Sequence, residues 1–249
     1  MEVAYQTSVG KQRTENQDYV GVFSNQAGLS FAIIADGIGG NRGGDVASEM
    51  AVSHLGYRFE KTTFSDVTSA NQWLSQVISV ENQSIIDKSH QFADLDGMGT
   101  TLVAAILFEK EFIIANIGDS RAYLLRDHKL RQLTEDHSLV NELVKRGEIS
   151  KADAKHHPHK NIIVKSLGIS DDATFDSNKY PLAIGDQLLL CTDGLTNMVS
   201  DDEIINVLTA HTDVQAKCQR LVTLANEAGG LDNITVLLGF VNEDGEVAG

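Results

Sequence analysis

Four aspartates stand where an apolar stretch ends or begins, each beside a glycine or a small turn residue. They are Asp36 in FAIIADGIGG, Asp119 in FIIANIGDSR, Asp193 in LLLCTDGL and Asp232 in GGLDNITVLLGF; a fifth, Asp18 in RTENQD, precedes another strand-like run. Taken one at a time, Asp-Gly is a turn signal. Taken together, buried strands that end on one rim would crowd these carboxylates, which repel one another and lose hydration. Hard divalent cations relieve such crowding by binding oxygen ligands. The chemistry that fits is hydrolysis of a phosphate monoester. Two Mg²⁺ or Mn²⁺ ions about 3.5–4 Å apart would shield the substrate's charge and acidify a bridging water. Arg13 would add a planar two-point grip on phosphate oxygens; alone, it reads as a surface charge.

Other local patterns carry less. Asp94-Leu95-Asp96-Gly97 imitates the aspartyl nucleophile loop of haloacid dehalogenase phosphatases, but the residues before it, His90 to Ala93, look like a helix end rather than a buried strand. The run Gly37 to Gly43 lies between a strand and a helix, as a dinucleotide loop would. Its third glycine is displaced by one position, and Asp36 would face a pyrophosphate with negative charge. His156-His157-Pro158-His159 lies in a polar stretch and reads as a solvated loop in preference to a transition-metal site. Cys191 and Cys218 read as small buried side chains. A cysteine-based phosphatase needs an arginine six residues later; Asn197 and Leu224 stand there instead.

The elements that would position the aspartates are mostly strands. Runs rich in Val, Ile, Leu and Phe predict strands over 3–9, 19–23, 30–35, 100–108, 112–117, 121–126, 174–180, 187–191 and 233–241. Glu109-Lys110-Glu111 and Asp127-His128-Lys129 read as hairpin turns, so the sheets should be mainly antiparallel. Helical spacing predicts helices over 45–59, 69–91, 139–146, 201–209 and 214–228, with Ser200 and Glu203 as a capping box. Two pairs of helices covering two stacked sheets give a four-layer α+β sandwich.

The chain has 249 residues, 42% of them hydrophobic and 22% charged, which suits a single domain with a substantial core. A net charge of −15 and a sequence pI of about 4.8 disfavour nucleic acid as a partner. The longest apolar run, Leu102 to Phe108, is too short to span a bilayer, and no signal-peptide pattern opens the chain. Reduced thiols suit a cytosol. The acidic tail from Asn242 to Gly249 reads as a frayed end.

The ordered blocks RTENQD, ADGIGG, GMGTTLVAA, NIGDSRAYLLR, LTEDHS, CTDGLTNMV and GGLDNITVLL cover nearly the whole chain. As a set they resemble the metal-dependent protein serine/threonine phosphatases of the protein phosphatase 2C type, in particular a compact bacterial member. The resemblance implies two antiparallel sheets flanked by helix pairs. It also implies hydrolysis of phosphoserine and phosphothreonine in proteins without a phosphoenzyme. Asp36 would bridge two metals, with the Gly37 carbonyl on the second. Asp193 and Asp232 would bind the first, and Asp18 would hold the second metal's waters. Asp119 with Asp193 would form a third site, and Arg13 would bind phosphate. Residues 138–168, with Lys151, Lys155 and Lys160, resemble a flap beside the metals. Expected partners are phosphorylated proteins, with a Ser/Thr kinase as functional counterpart; the expected enzyme is a cytoplasmic monomer.

Three positions depart from the family pattern. Ile38 and Asn41 stand where many members carry a histidine, which leaves a water on a metal as the preferred proton donor, and Gln17 replaces a common glutamate. Two competing readings are a catalytically silent phosphopeptide-binding scaffold and a dinucleotide-dependent oxidoreductase. The intact aspartates argue against the first; the second rests on the displaced glycine loop alone.

Overall fold

The computed structural model describes residues 2–38, 43–155 and 157–242, with no account of the Lys155 side chain. Asn41, His156 and the tail beyond Asn242 lie outside the described residues. One sheet contains β1 (Glu2–Ser8), β7 (Arg121–Arg126), β8 (Lys129–Gln132), β10 (Gln187–Cys191) and β11 (Ile234–Phe240), in the order β1-β11-β10-β7-β8. The other contains β2 (Asp18–Ser24), β3 (Ser30–Ile38), β5 (Leu102–Leu107), β6 (Glu111–Ile117) and β9 (Asp176–Pro181), in the order β2-β3-β5-β6-β9. The short β4 (Gly99–Thr100) pairs with the end of β3. All the pairings are antiparallel.

Strand alternation builds the layers. Phe31, Ile33 and Ala35 of β3 face the helices α1 (Gly44–Glu60) and α2 (Val67–Gln91), while Ala32 and Ile34 face the opposite sheet. On β10, Leu188 and Leu190 face the inter-sheet core, and Leu189 and Cys191 face α6 (Asp201–Thr209) and α7 (Val214–Glu227). Both faces of the central strands are buried, which explains their continuous apolar runs. The result is the expected four-layer sandwich. Cys191 and Cys218 are buried free thiols, and burial pushes each up to about 12.

Sequence and structure differ in short elements. The run expected as one strand over 100–108 divides at Thr101, whose backbone N–H donates to the Asp36 carbonyl (2.9 Å) while its hydroxyl accepts from the Asp36 N–H (3.0 Å). The hairpin turn expected at 127–129 is present, with Asp127 and His128 at φ 50° and 59°, and it leads into β8, which was not among the expected strand runs. Two more short helices appear besides α3 (Leu139–Lys145): α4 (Lys151–Lys155) and α5 (Asp193–Thr196). The first begins in a reciprocal cap, with the Ser150 hydroxyl accepting from the Asp153 N–H and Asp153 Oδ2 accepting from the Ser150 N–H. The expected cap at Ser200 and Glu203 is present. Asp94 lies in a 3₁₀ turn after α2, not after a strand, so the dehalogenase-like pattern lacks its setting.

Candidate active site

Strand register decides where the aspartates go. Asp18 opens β2 and lies directly across from Asp36 on β3. Because β3, β5 and β6 run antiparallel in turn, the end of β3 shares a rim with the end of β6, and Asp119 sits just beyond it. In the other sheet the start of β7, the end of β10 and the start of β11 meet at one rim, with Asp193 and Asp232 beside them. Gly194 packs so closely on the Asn233 carbonyl that a Cβ would collide with it, drawing the Asp193 and Asp232 segments together.

The charges of Asp18, Asp193, Asp119 and Asp232 all act on Asp36. Burial, reinforced by these four, holds the Asp36 carboxyl well above the usual range. Burial also raises Asp18 to about 7, opposed by the Thr235 and Thr192 hydroxyls and aided by Asp193 and Asp232. Asp119 rises to about 7 through burial and the charges of Asp193 and Asp136. Asp193 rises to about 6 through burial and Asp232, with Arg121, Asn197 and Arg13 opposing.

Two carboxylate oxygens, Asp18 Oδ1 and Asp119 Oδ1, are buried without a hydrogen-bond partner among the described residues. Buried orphan carboxylate oxygens beside other acidic groups fit a hard divalent cation. Among the described residues no group of three or more His, Cys, Asp or Glu side chains is placed to hold an ion by itself. An ion at this rim, hereafter the mouth, therefore needs backbone carbonyls and water as further ligands. Arg13 reaches this mouth: its Nη2 donates to Asp232 Oδ2 at 2.9 Å, both side chains being partly exposed.

Several supporting residues escaped the sequence reading. Thr192 donates its hydroxyl to Asp18 Oδ2 (3.0 Å) and accepts from the Thr235 N–H. Asn233 binds the carbonyls of Val9 and Glu15 and accepts from the Gln17 N–H, tying down the loop that carries Arg13. Asn197 donates to Asp193 Oδ2 at 2.9 Å. Arg121 grips Asp136 through Nε and Nη2, a fixed cation near Asp119 and Asp193. The one visible signal was that these residues fall within the same motif blocks as the aspartates. Gly37 donates its N–H to the Gln17 carbonyl and pairs with Thr100.

The segment 138–168 closes on itself through a bridge between Ser138 and Ile163, and its far end is tied to β4 by a bridge between Thr100 and Leu167. Lys160 Nζ comes within 3.5 Å of Asn197 Oδ1, which places this segment over the Asp193 side of the mouth.

The family model described as protein phosphatase 2C matches residues 6–227. The chain is 48% identical over 239 residues to a protein named serine/threonine phosphatase stp from Listeria monocytogenes serotype 4b (strain F2365), covering 96% of this chain and 95% of that one. It superposes on the S. agalactiae serine/threonine phosphatase with a TM-score of 0.94 and 43% identity, covering 97% of this chain and 99% of the other. The catalytic domain of the phosphatase PstP, in complex with two manganese ions, gives a TM-score of 0.85 at 31% identity, covering 97% of this chain and 98% of that one. With matches of this extent, the chain belongs to the protein phosphatase 2C family.

Proposed function

We propose that this protein hydrolyses phosphoserine and phosphothreonine in phosphoproteins, with Mg²⁺ or Mn²⁺ held in the aspartate mouth. The observation that carries the reading is the convergence of five aspartates from five strand ends, two of them with buried orphan oxygens. The related PstP domain holds two manganese ions, and the Listeria relative is named a serine/threonine phosphatase.

In this reading Asp36, the Gly37 carbonyl and Asp18, Asp193 with Asp232, and Asp119 with Asp193 would hold the divalent ions. Bound ions supply charge neutralisation and an acidified water at neutral pH. The chain's own residues do the positioning. Thr192 orients Asp18, and Asn197 orients Asp193. Arg13, tethered to Asp232, presents its remaining donors to the phosphate oxygens. Ile38 follows Asp36-Gly37, so no histidine stands there to protonate the leaving alkoxide.

The reading extends to a cytoplasmic monomer formed as one domain over 1–249 with a flap at about 138–168, opposing a Ser/Thr kinase. The two buried reduced cysteines suit a reducing compartment. No helix among the described residues is long and apolar enough to cross a membrane. The deciding experiment is phosphopeptide hydrolysis with Mn²⁺, with Mg²⁺ and with chelator. Turnover is expected with metal alone; turnover under chelation overturns the mechanism, and binding without turnover identifies a scaffold.

A further inference from the structure

The turn that carries Asp119 is held by a residue on another segment. Gly118 adopts φ 99° and lies so close to Thr101 that a Cβ would collide with its side chain. Its two backbone polar groups both go to His137. The Gly118 N–H donates to His137 Nδ1 at 3.1 Å, and the His137 N–H donates to the Gly118 carbonyl at 2.9 Å. His137 is 2% exposed. The far ring nitrogen, Nε2, lies 3.2 Å from Asp176 Oδ2. Since Nδ1 accepts, Nε2 carries the proton and donates to Asp176.

We propose that His137 is a positioning residue for Asp119: its Nδ1 lone pair fixes the Gly118 amide and so aims the neighbouring carboxylate at a divalent cation. This rests on the reading of Asp119 as a metal ligand. The Asp119 Oδ1 atom is buried without a hydrogen-bond partner among the described residues, so its aim depends on the backbone beneath it. Burial depresses the His137 pKa, with Asp176 opposing and Lys165 and Lys145 adding to the depression, which keeps the ring neutral and Nδ1 free to accept. The His137 carbonyl also accepts from the Val164 N–H (2.8 Å), so one residue joins the Asp119 turn to the segment 138–168. A histidine that merely filled the core would not need an acceptor at one particular ring position. Outer contacts of this kind are worth about 10- to 100-fold in metal affinity.

The two ring positions can be replaced separately. Asparagine sets its amide oxygen near the place of Nδ1, and glutamine sets its amide near Nε2. Calorimetric Mn²⁺ titration of the full chain, beside thermal unfolding, compares wild type, Asp119→Ala, His137→Asn and His137→Gln. Asp119→Ala identifies the binding event that depends on Asp119. His137→Gln should weaken that same event about tenfold while His137→Asn retains it, with equal unfolding midpoints. Equal affinities in the two His137 variants, or a glutamine variant that binds as wild type, overturn the role of His137 and leave Asp119 as a ligand. Manganese binding unchanged in Asp119→Ala overturns the ligand reading itself.

Discussion

Asp18 and Asp36 stand directly opposite each other across the antiparallel pair β2–β3. Like charges in that relationship destabilise a sheet. Here burial raises both carboxyls, Asp36 further through the charge of Asp18 and Asp18 further through those of Asp193 and Asp232. The protein is therefore built with a charge conflict that, in the proposed reading, a divalent cation would resolve.

That conflict predicts an unusual pH dependence. Folded Asp18 and Asp119 titrate near 7 and Asp193 near 6, above the usual carboxylate value of 3.8. Between these limits the native state binds more protons than the unfolded chain. The stability contributed by these groups is thus present at low pH and lost as pH rises through 6–7. With chelator, the unfolding midpoint should rise as pH falls from about 8 to about 5. Saturating Mn²⁺ should oppose this trend, because bound ions require ionised ligands. A chelated midpoint that instead climbs with pH over that range removes the argument.

Asp36→Ala, Asp193→Ala and Asp232→Ala should each abolish phosphopeptide turnover, since each removes a proposed ligand. Each variant should still fold, and Asp36→Ala under chelation should be more stable than wild type because the repulsion falls. Manganese calorimetry beside activity checks both. Normal stoichiometry and turnover in Asp36→Ala would sink the assignment.

Arg13→Ala should lower kcat/KM by on the order of 10- to 100-fold and weaken inhibition by free phosphate in parallel. Its ion pair with Asp232 is partly exposed, so the unfolding midpoint should barely change. Unchanged phosphate inhibition would return Arg13 to a surface charge.

Asn82, on α2, is buried and clamps the end of segment 138–168. Its Oδ1 accepts from the Gly168 N–H, and its Nδ2 donates to the Ser170 carbonyl, both at 2.8 Å. Asn82→Ala leaves these backbone groups unpaired and should cost about 1–3 kcal/mol. Limited proteolysis should then cut within 138–168 faster than in wild type. An unaltered cleavage rate, with an unaltered midpoint, would show that the bridge at Leu167 holds the segment alone.

Lys160 reaches Asn197, which in turn holds Asp193. In a chain of net charge −15 this cation is placed to attract a phosphorylated segment. Lys160→Ala should slow phosphoprotein hydrolysis more than p-nitrophenyl phosphate hydrolysis, and the gap should close as salt rises. Equal losses on both substrates, insensitive to salt, would rule out a recognition role.

The sequence alone determined the long elements and the chemistry-bearing residue types. Apolar runs at β3, β5, β6 and β10 were long enough to read as buried strands, and Ser200 with Glu203 announced α6, because those signals are local. Asp18, Asp36, Asp119, Asp193 and Asp232 were visible as strand-end carboxylates for the same reason. Shorter pieces escaped: α4 and β8 are too brief for periodicity to register. What only the tertiary structure decided is which carboxylates share a rim and who supports them. Thr192 meets Asp18 across 174 residues, and Arg13 meets Asp232 across 219. His137 takes the Gly118 amide from a segment 19 residues away. No local pattern encodes such contacts. They arise because antiparallel register brings the ends of distant strands to one edge, where each buried polar group requires a partner.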